Sequence, residues 1–223
     1  MRGAAACVPP SLLRSFGGTV LMVAMATAHA AAQTTTPPGP WVLDVRGVTS
    51  PVPTDAAFYP PLAATSVPSR GFGADFGAHV YLWSVKLARI GFGANFVIVR
   101  SAVDAPVAAP EEDETDEAPP TQRVTLNMRM LAPQISANFG TRDGWSYLSA
   151  GVGIASVATE AADAMPGGQE SGRLRSVNFG GGARWFINPR LAFGFDLRAH
   201  RIAAGSGTPK TSVFVVGAGL SIR

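Results

Sequence analysis

The last 48 residues, Ser176 to Arg223, restrict this chain most, because apolar and polar positions alternate through three successive segments. From Val177 the odd positions carry Val177, Phe179, Gly181, Ala183, Trp185 and Ile187, and the even ones carry Asn178, Gly180, Gly182, Arg184 and Phe186. Beyond Asn188-Pro189, the series Leu191, Phe193, Phe195 and Leu197 alternates with Ala192, Gly194, Asp196, Arg198 and His200. Phe214, Val216, Ala218, Leu220 and Ile222 then alternate with Val215, Gly217, Gly219, Ser221 and Arg223. A period of two is that of a β-strand with two chemically distinct faces. It leaves open which face meets water.

The same reading extends along the chain to eight strand-like segments: Trp41 to Thr49, Gly71 to Trp83, Ala88 to Ser101, Arg123 to Gly140, Ser146 to Val157, Ser176 to Ile187, Leu191 to Ile202 and Ser212 to Arg223. Their connectors alternate in length. Ser50 to Arg70, Ala102 to Gln122 and Ala158 to Arg175 are long, and Ala203 to Thr211 is intermediate. Ser84 to Leu87, Thr141 to Trp145 and Asn188 to Arg190 are short. Long and short connectors therefore fall at opposite ends of an up-and-down meander, an asymmetry of transmembrane barrels that a soluble sandwich has no reason to share. Segments of this length suit a bilayer, which about 9 to 11 tilted residues cross. All four tryptophans, Trp41, Trp83, Trp145 and Trp185, fall at short-turn ends, where an interfacial girdle is expected; parity turns Trp83 inward, which makes Trp41 and Trp185 its firmer members.

Residues 1–32 read as an export signal. Arg2 and Arg14 precede the apolar run Phe16 to Ala26, and small residues at Ala28-His29-Ala30 and Ala30-Ala31-Ala32 suit cleavage after Ala32. Residues 33–40 form a Thr/Pro/Gly leader, and residues 41–223 the barrel. The one cysteine, Cys7, leaves with the signal, so no disulfide supports the mature chain. Without Arg2 and Arg14 the chain holds 16 basic residues against 15 acidic ones. The bases are spread one or two per strand, which excludes the clustered basic face of a nucleic-acid binder.

An eight-stranded barrel can hide its Phe/Leu face, as a lipocalin does, or show it to lipid. The opposite face carries Gly71, Gly73, Asp75, Gly77 and His79, then Arg89, Gly91, Gly93 and Asn95. Such a mixture makes a poor solvated surface and a good crowded lumen, since eight strands leave room only for side chains. Pairing Ile187 with Leu191 sets Gly182 opposite Asp196, Gly180 opposite Arg198 and Gly194 opposite Arg184, a glycine facing each bulky group. Pairing Trp83 with Arg89 likewise sets Tyr81 against Gly91 and His79 against Gly93. In the fourth segment Val124, Leu126, Met128 and Met130 share one parity and Ile135, Ala137 and Phe139 the other; a bulge near Leu131 to Pro133 would reconcile them.

These features, the signal, eight meandering strands, alternating connectors and amphipathic last strand, resemble the small outer-membrane barrels of the OmpA and OmpX type. The resemblance covers residues 41–223 and is architectural. It implies an all-β, eight-stranded antiparallel up-and-down transmembrane barrel, integral to the bacterial outer membrane after signal removal. In that family the last strand usually ends in an aromatic residue read by the assembly machinery; here it ends Ser221-Ile222-Arg223.

A luminal polar network of Asp44, Arg46, Asp75, His79, Arg89, Arg129, Arg184, Asp196 and Arg198 is expected to plug the barrel, since buried charges need partners. The mature chain's histidines, His79 and His200, fall in the lumen and Ser212 on the lipid face, so no nucleophile, base and acid converge for acyl transfer. No catalysis, cofactor or metal centre is expected. The run Glu111, Glu112, Asp113, Glu114, Asp116 and Glu117 in the second long connector reads as a solvated loop, with a weak Ca²⁺ or Mg²⁺ contact to lipopolysaccharide or a basic partner as the sharper alternative. The expected role is structural or surface-interacting, as a monomer whose partners are outer-membrane lipid and lipopolysaccharide, the assembly machinery and a surface ligand. A narrow solute channel and a soluble periplasmic barrel holding an apolar ligand are the alternatives.

Overall fold

The computed structural model describes residues 40–59, 66–106, 121–140, 143–161, 169–205 and 207–223. The export segment, most of the leader and the acidic run lie outside them. Eight antiparallel strands form the wall: β1 (Trp41–Pro51), β2 (Arg70–Val85), β3 (Ala88–Pro106), β4 (Thr121–Gly140), β5 (Gly144–Ala161), β6 (Leu174–Phe186), β7 (Leu191–Ile202) and β8 (Thr211–Ile222). Each pairs with the next, and β1 also pairs with β8 from Leu43↔Ile222 to Thr49↔Val216, which closes the sheet and removes its free edges. The two-residue strand Gln169–Glu170 extends the wall beside Ala158 and Thr159. The short connections from β2 to β3, β4 to β5 and β6 to β7 fall at one end, and the four longer connections at the other, as expected from the chain's spacing.

The Phe/Leu face points outward. Among the described residues, twenty-eight large apolar side chains are exposed, Phe72, Phe92, Phe179, Phe193 and Phe214 included, while Asp44, Arg46, Asp75, Arg184, Asp196 and Arg198 are buried inside. At about 1.5–3 kcal/mol for each such group left in water, a surface of this kind is untenable in an aqueous medium and costs nothing against hydrocarbon. A soluble barrel with its phenylalanines around an internal ligand is thereby excluded. Closure satisfies the backbone, the condition for strands in lipid.

Pairing around the β6–β7 turn follows the expected register: Gly180↔Arg198, Gly182↔Asp196 and Arg184↔Gly194. Tyr81↔Gly91 and His79↔Gly93 also hold, but Trp83 pairs with Ile90 and Arg89 with Ser84, because the register shifts between Tyr81 and Trp83. This bulge re-aims one residue. Trp83 consequently points outward, 51% exposed, and packs edge-on against Phe92 at 5.4 Å. Trp145 corrects the girdle in the opposite sense. It is 1% exposed and inside the barrel, whereas Trp41, Trp83 and Trp185 form the outward aromatic set.

No bulge interrupts β4, whose register with β3 runs unbroken from Thr121 to Phe139. The expected bulge near Leu131 to Pro133 is wrong because the surroundings change along the strand while the backbone does not. Toward the long-connector end the inward residues are Val124, Leu126, Met128 and Met130, with Arg123 and Arg129 exposed outside. Toward the short-turn end Gln134, Ser136 and Asn138 face in, and Leu131, Ile135 and Phe139 face out. The neighbouring strands switch in the same way. On β3 the inward Asn95 gives way to Val97 and Val99 while the outward Phe96 gives way to Arg100. On β5 the inward Tyr147 and Ser149 give way to Ala155 and Val157. The barrel is thus two devices in series: an inside-out segment with an apolar exterior, and beyond it a segment with the polarity of a soluble protein.

The soluble-type segment holds an apolar core in which Val48, Val97, Val99, Leu126, Met128 and Met130 are joined by Phe58 and Tyr59 from the first long connector. There Asp55 caps a 3-10 turn, Ala56–Phe58, by accepting from the Ala57 amide at 2.9 Å. Thr159 Oγ1 donates to the Phe58 carbonyl at 2.8 Å and Gln169 Nε2 to the Ala57 carbonyl at 3.2 Å, tying this lid to the β5 side of the wall. Burial pushes the Tyr59 phenol up to about 12.

Candidate functional site

The functional question centres on the lumen of the inside-out segment. Eight strands bring inward side chains close enough to touch across it. Asp44 of β1 is the hub. Arg184 of β6 grips it with a fork, Nε to Oδ1 at 2.9 Å and Nη2 to Oδ2 at 2.7 Å, and Ser221 Oγ donates to Oδ1 at 2.5 Å. Arg46 bridges two carboxylates, with Nη2 2.8 Å from Asp44 and Nη1 2.7 Å from Asp75. Asn95 Nδ2 donates to the other Asp75 oxygen at 2.7 Å, and Asn95 Oδ1 accepts from Gln134.

A second knot forms around Arg198. It donates to Asp196 at 3.2 and 3.1 Å, to Gln134 Oε1 at 2.5 Å, to Asn178 Oδ1 at 3.0 Å and to Ser149 Oγ at 3.0 Å. Tyr147 joins the two knots. Its hydroxyl donates to Asp196 at 2.6 Å, and its ring lies 3.9 Å beneath the Arg184 guanidinium and 5.9 Å from that of Arg46. Within this network the three arginines Arg46, Arg184 and Arg198 meet the three aspartates Asp44, Asp75 and Asp196, so charge balances without His79. Forked, charge-assisted bonds of this kind hold side chains in one geometry.

Two of the nine expected members lie elsewhere. Arg129 is exposed on the outer wall because β4 carries no bulge. Arg89 sits at the short-turn rim, where its Nε donates to Ser84 Oγ at 3.2 Å. Tyr147, Ser149, Gln134 and Ser221 were not among the expected members. Parity could have found Tyr147 and Ser149, which share Trp145's face of β5. Gln134 was hidden by the supposed bulge.

Both mouths are closed by side chains. At the short-turn end Val42, Tyr81 and Trp145 pack together with Phe186 against them. The terminal Arg223 lies over this cluster, its guanidinium 4.3 Å from the Phe186 ring and 5.0 Å from that of Trp145, and its Nε donates to the Pro189 carbonyl at 2.6 Å. Arg223 thus supplies a cation to two aromatic rings. At the other end the apolar core and its Phe58–Tyr59 lid cover the polar network.

Among the described residues, the buried serine, aspartate and histidine do not line up as a catalytic triad. A nucleophile needs a base beside it that is oriented by an acid. Here Asp44 stands in the middle, with Ser221 at 2.5 Å on one side and the His79 Nδ1 at 3.7 Å on the other, so the hydroxyl meets the carboxylate and no imidazole. His79 Nε2 instead meets Gln134 Nε2 at 2.7 Å. His200 is buried and neither ring nitrogen has a partner among the described residues. No group of three or more His, Cys, Asp or Glu suited to a metal occurs among the described residues.

A closed antiparallel barrel of eight strands, apolar outside and ionic inside, is the architecture of small outer-membrane barrels. Solved structures bear this out. Neisserial surface protein A matches with a TM-score of 0.56 and 10% identity over 83% of this chain and 97% of its own. Ail, the attachment invasion locus protein of Yersinia pestis, crystallised with the heparin analogue sucrose octasulfate, matches at 0.50 and 11% identity over 82% and 96%. The chain has the fold of these small eight-stranded barrels. No family model and no curated protein matches the sequence.

Proposed function

We propose that the chain is an integral protein of the bacterial outer membrane that acts without catalysis, as a sealed barrel whose long connectors present an interaction surface. The observation that carries this reading is the charge-balanced luminal network. Asp44, Arg46 and Arg184 have at most 2% of their side-chain surface accessible, and both mouths above and below them are covered. An ion path needs wet, exchangeable ligands, whereas these charges are taken up by one another. Connector residues outside the Phe58–Tyr59 lid and the wall are the part free to vary without disturbing either.

Single-channel recording on the purified, heat-modifiable barrel in planar bilayers tests the seal. No steady conductance above the bare bilayer is expected. A sustained, sizeable conductance would establish a pore and overturn the sealed reading. Outer-membrane fractionation tests the placement; recovery of the folded chain in the soluble fraction would refute it.

A further inference from the structure

The arginine displaced from the expected lumen stands in a built depression on the outer wall. Arg129 of β4 pairs across the ladder with Ser156 of β5. Leu174 pairs with Ala155, so Arg173 falls on the other side of Ser156. Two long cations therefore flank one small hydroxyl in a single row. The next row toward the short-turn end is Phe96, Leu131, Ile154 and the exposed Arg175, joined by Phe96↔Leu131, Leu131↔Ile154 and Ile154↔Arg175. Of these, Phe96, Arg129, Leu131, Ile154, Ser156 and Arg173 line, with Met130 and Ala155, a depression of about 190 Å³ on the outward face.

Its position is set by the polarity switch. Apart from Arg175 beside Ile154, the cationic row is the first beyond the exposed apolar band of Leu131, Ile135, Leu148, Val152 and Ile154. An outward arginine is costly at the middle of a bilayer and nearly free at its edge, where lipid phosphates lie. Among the described residues no carboxylate lies within ion-pair distance of Arg129 or Arg173. Farther out, Arg123 does have one, Asp104 at 3.7 Å. The guanidinium fork suits phosphate oxygens, and the Phe96, Leu131 and Ile154 floor suits an acyl chain running down from the same molecule.

We propose that this depression binds a phosphorylated, acylated lipid of the outer leaflet, with the phosphate between Arg129 and Arg173 over Ser156 and an acyl chain on Phe96, Leu131 and Ile154. The site rests on the placement of the barrel in the outer membrane. It gives the wall a fixed lipid partner at one azimuth, between β3 and β6, instead of an even lipid annulus.

The test uses the full mature chain in phosphatidylcholine nanodiscs, titrated with the fluorescent bis-phosphorylated acyl anchor of lipopolysaccharide, with its dephosphorylated form and with inorganic pyrophosphate. Saturable binding of the phosphorylated anchor is expected, at least about tenfold tighter than the dephosphorylated one, the loss typical of one charge-assisted contact. Arg129→Gln with Arg173→Gln, or Ser156→Asp alone, should abolish this preference, and Arg123→Gln should leave it unchanged. All four side chains are at least partly exposed, so heat-modifiable mobility should persist in every variant. Binding insensitive to the Arg129 and Arg173 changes, equal binding of both anchor forms, or competition by pyrophosphate at equal concentration would overturn the site. A chain that inserts into the discs and binds no anchor refutes this inference alone; one that fails to enter discs refutes the membrane placement itself.

Discussion

Replacing Asp44 with alanine should destabilise the barrel more than any other single change in the lumen. The carboxylate accepts two bonds from Arg184 and one from Ser221, and it lies 2.8 Å from Arg46. Its removal leaves Arg46, Arg184 and Arg198 facing only Asp75 and Asp196. Arg46 keeps Asp75 at 2.7 Å and is partly compensated. Arg184 keeps the Ser221 hydroxyl at 3.2 Å and the Tyr147 ring, neither of which carries a negative charge. With the Arg184 side chain 0% accessible, water cannot take the place of the carboxylate without opening the wall. Removing one partner of a pair so buried costs about 3–5 kcal/mol, most of it the stranded cation. Adding Arg184→Met to Asp44→Ala removes that cation and should restore about 2 kcal/mol or more, so the two effects should be strongly non-additive. Urea unfolding in detergent micelles, followed by tryptophan fluorescence and gel mobility together, reads the effect. At a slope of roughly 2–3 kcal/mol per molar, the midpoint should fall by about 1–2 M. A loss below about 1 kcal/mol, with no rescue by Arg184→Met, would mean that water already solvates Arg184. The lumen would then be wet, and the sealed reading would fall with the energetic argument.

Three further outcomes follow from the packing. Gly182→Ala should cost about 1–3 kcal/mol in the same urea experiment, since its Cβ would strike the Phe195 carbonyl and stand 2.8 Å from the Tyr147 hydroxyl that serves Asp196; an unchanged midpoint would contradict this crowding. Among versions retaining one tryptophan each, brominated acyl chains should quench Trp41, Trp83 and Trp185 and leave Trp145 bright, because only Trp145 is inside; quenching of Trp145 would place it wrongly. The outer lid should loosen in alkali: burial raises Tyr59 to about 12 from an unfolded value near 10. Its contribution is therefore complete below pH 10 and lost as pH rises toward 12. Proteolysis at residues 52–69 should accelerate across that window, and a rate flat from pH 9 to 12 would refute the burial.

Much of the architecture is local and so was readable in the chain. Alternation fixes that Phe193, Phe195 and Leu197 share a face and that Asp196 and Arg198 share the other, and the Asn188-Pro189 turn fixes which glycines stand opposite them, because strand geometry allows only one side-chain period. The short connectors decide which ends of the strands lie together. The same rules cannot report a change of surroundings. Met128 and Met130 are apolar for the same reason as Ile135, but they lie in a capped core while Ile135 lies on the outer wall, and the strand between them is regular. A reader who assumes one environment must invent a bulge there, and Arg129 is then carried into the lumen with it. The real bulge, at Leu82, leaves no mark in the pattern because both Leu82 and Trp83 are large and apolar. Whether Trp145 faces in or out depended on the Phe186 ring 4.7 Å away and on Arg223 returning beneath it from the far end of the chain. The sequence by itself determined the strands, their number and their two faces, since these follow from steric periodicity along the backbone. Tertiary structure alone decided where the polarity inverts, which charges meet and what closes the mouths, since those depend on residues distant in the chain arriving at the same place.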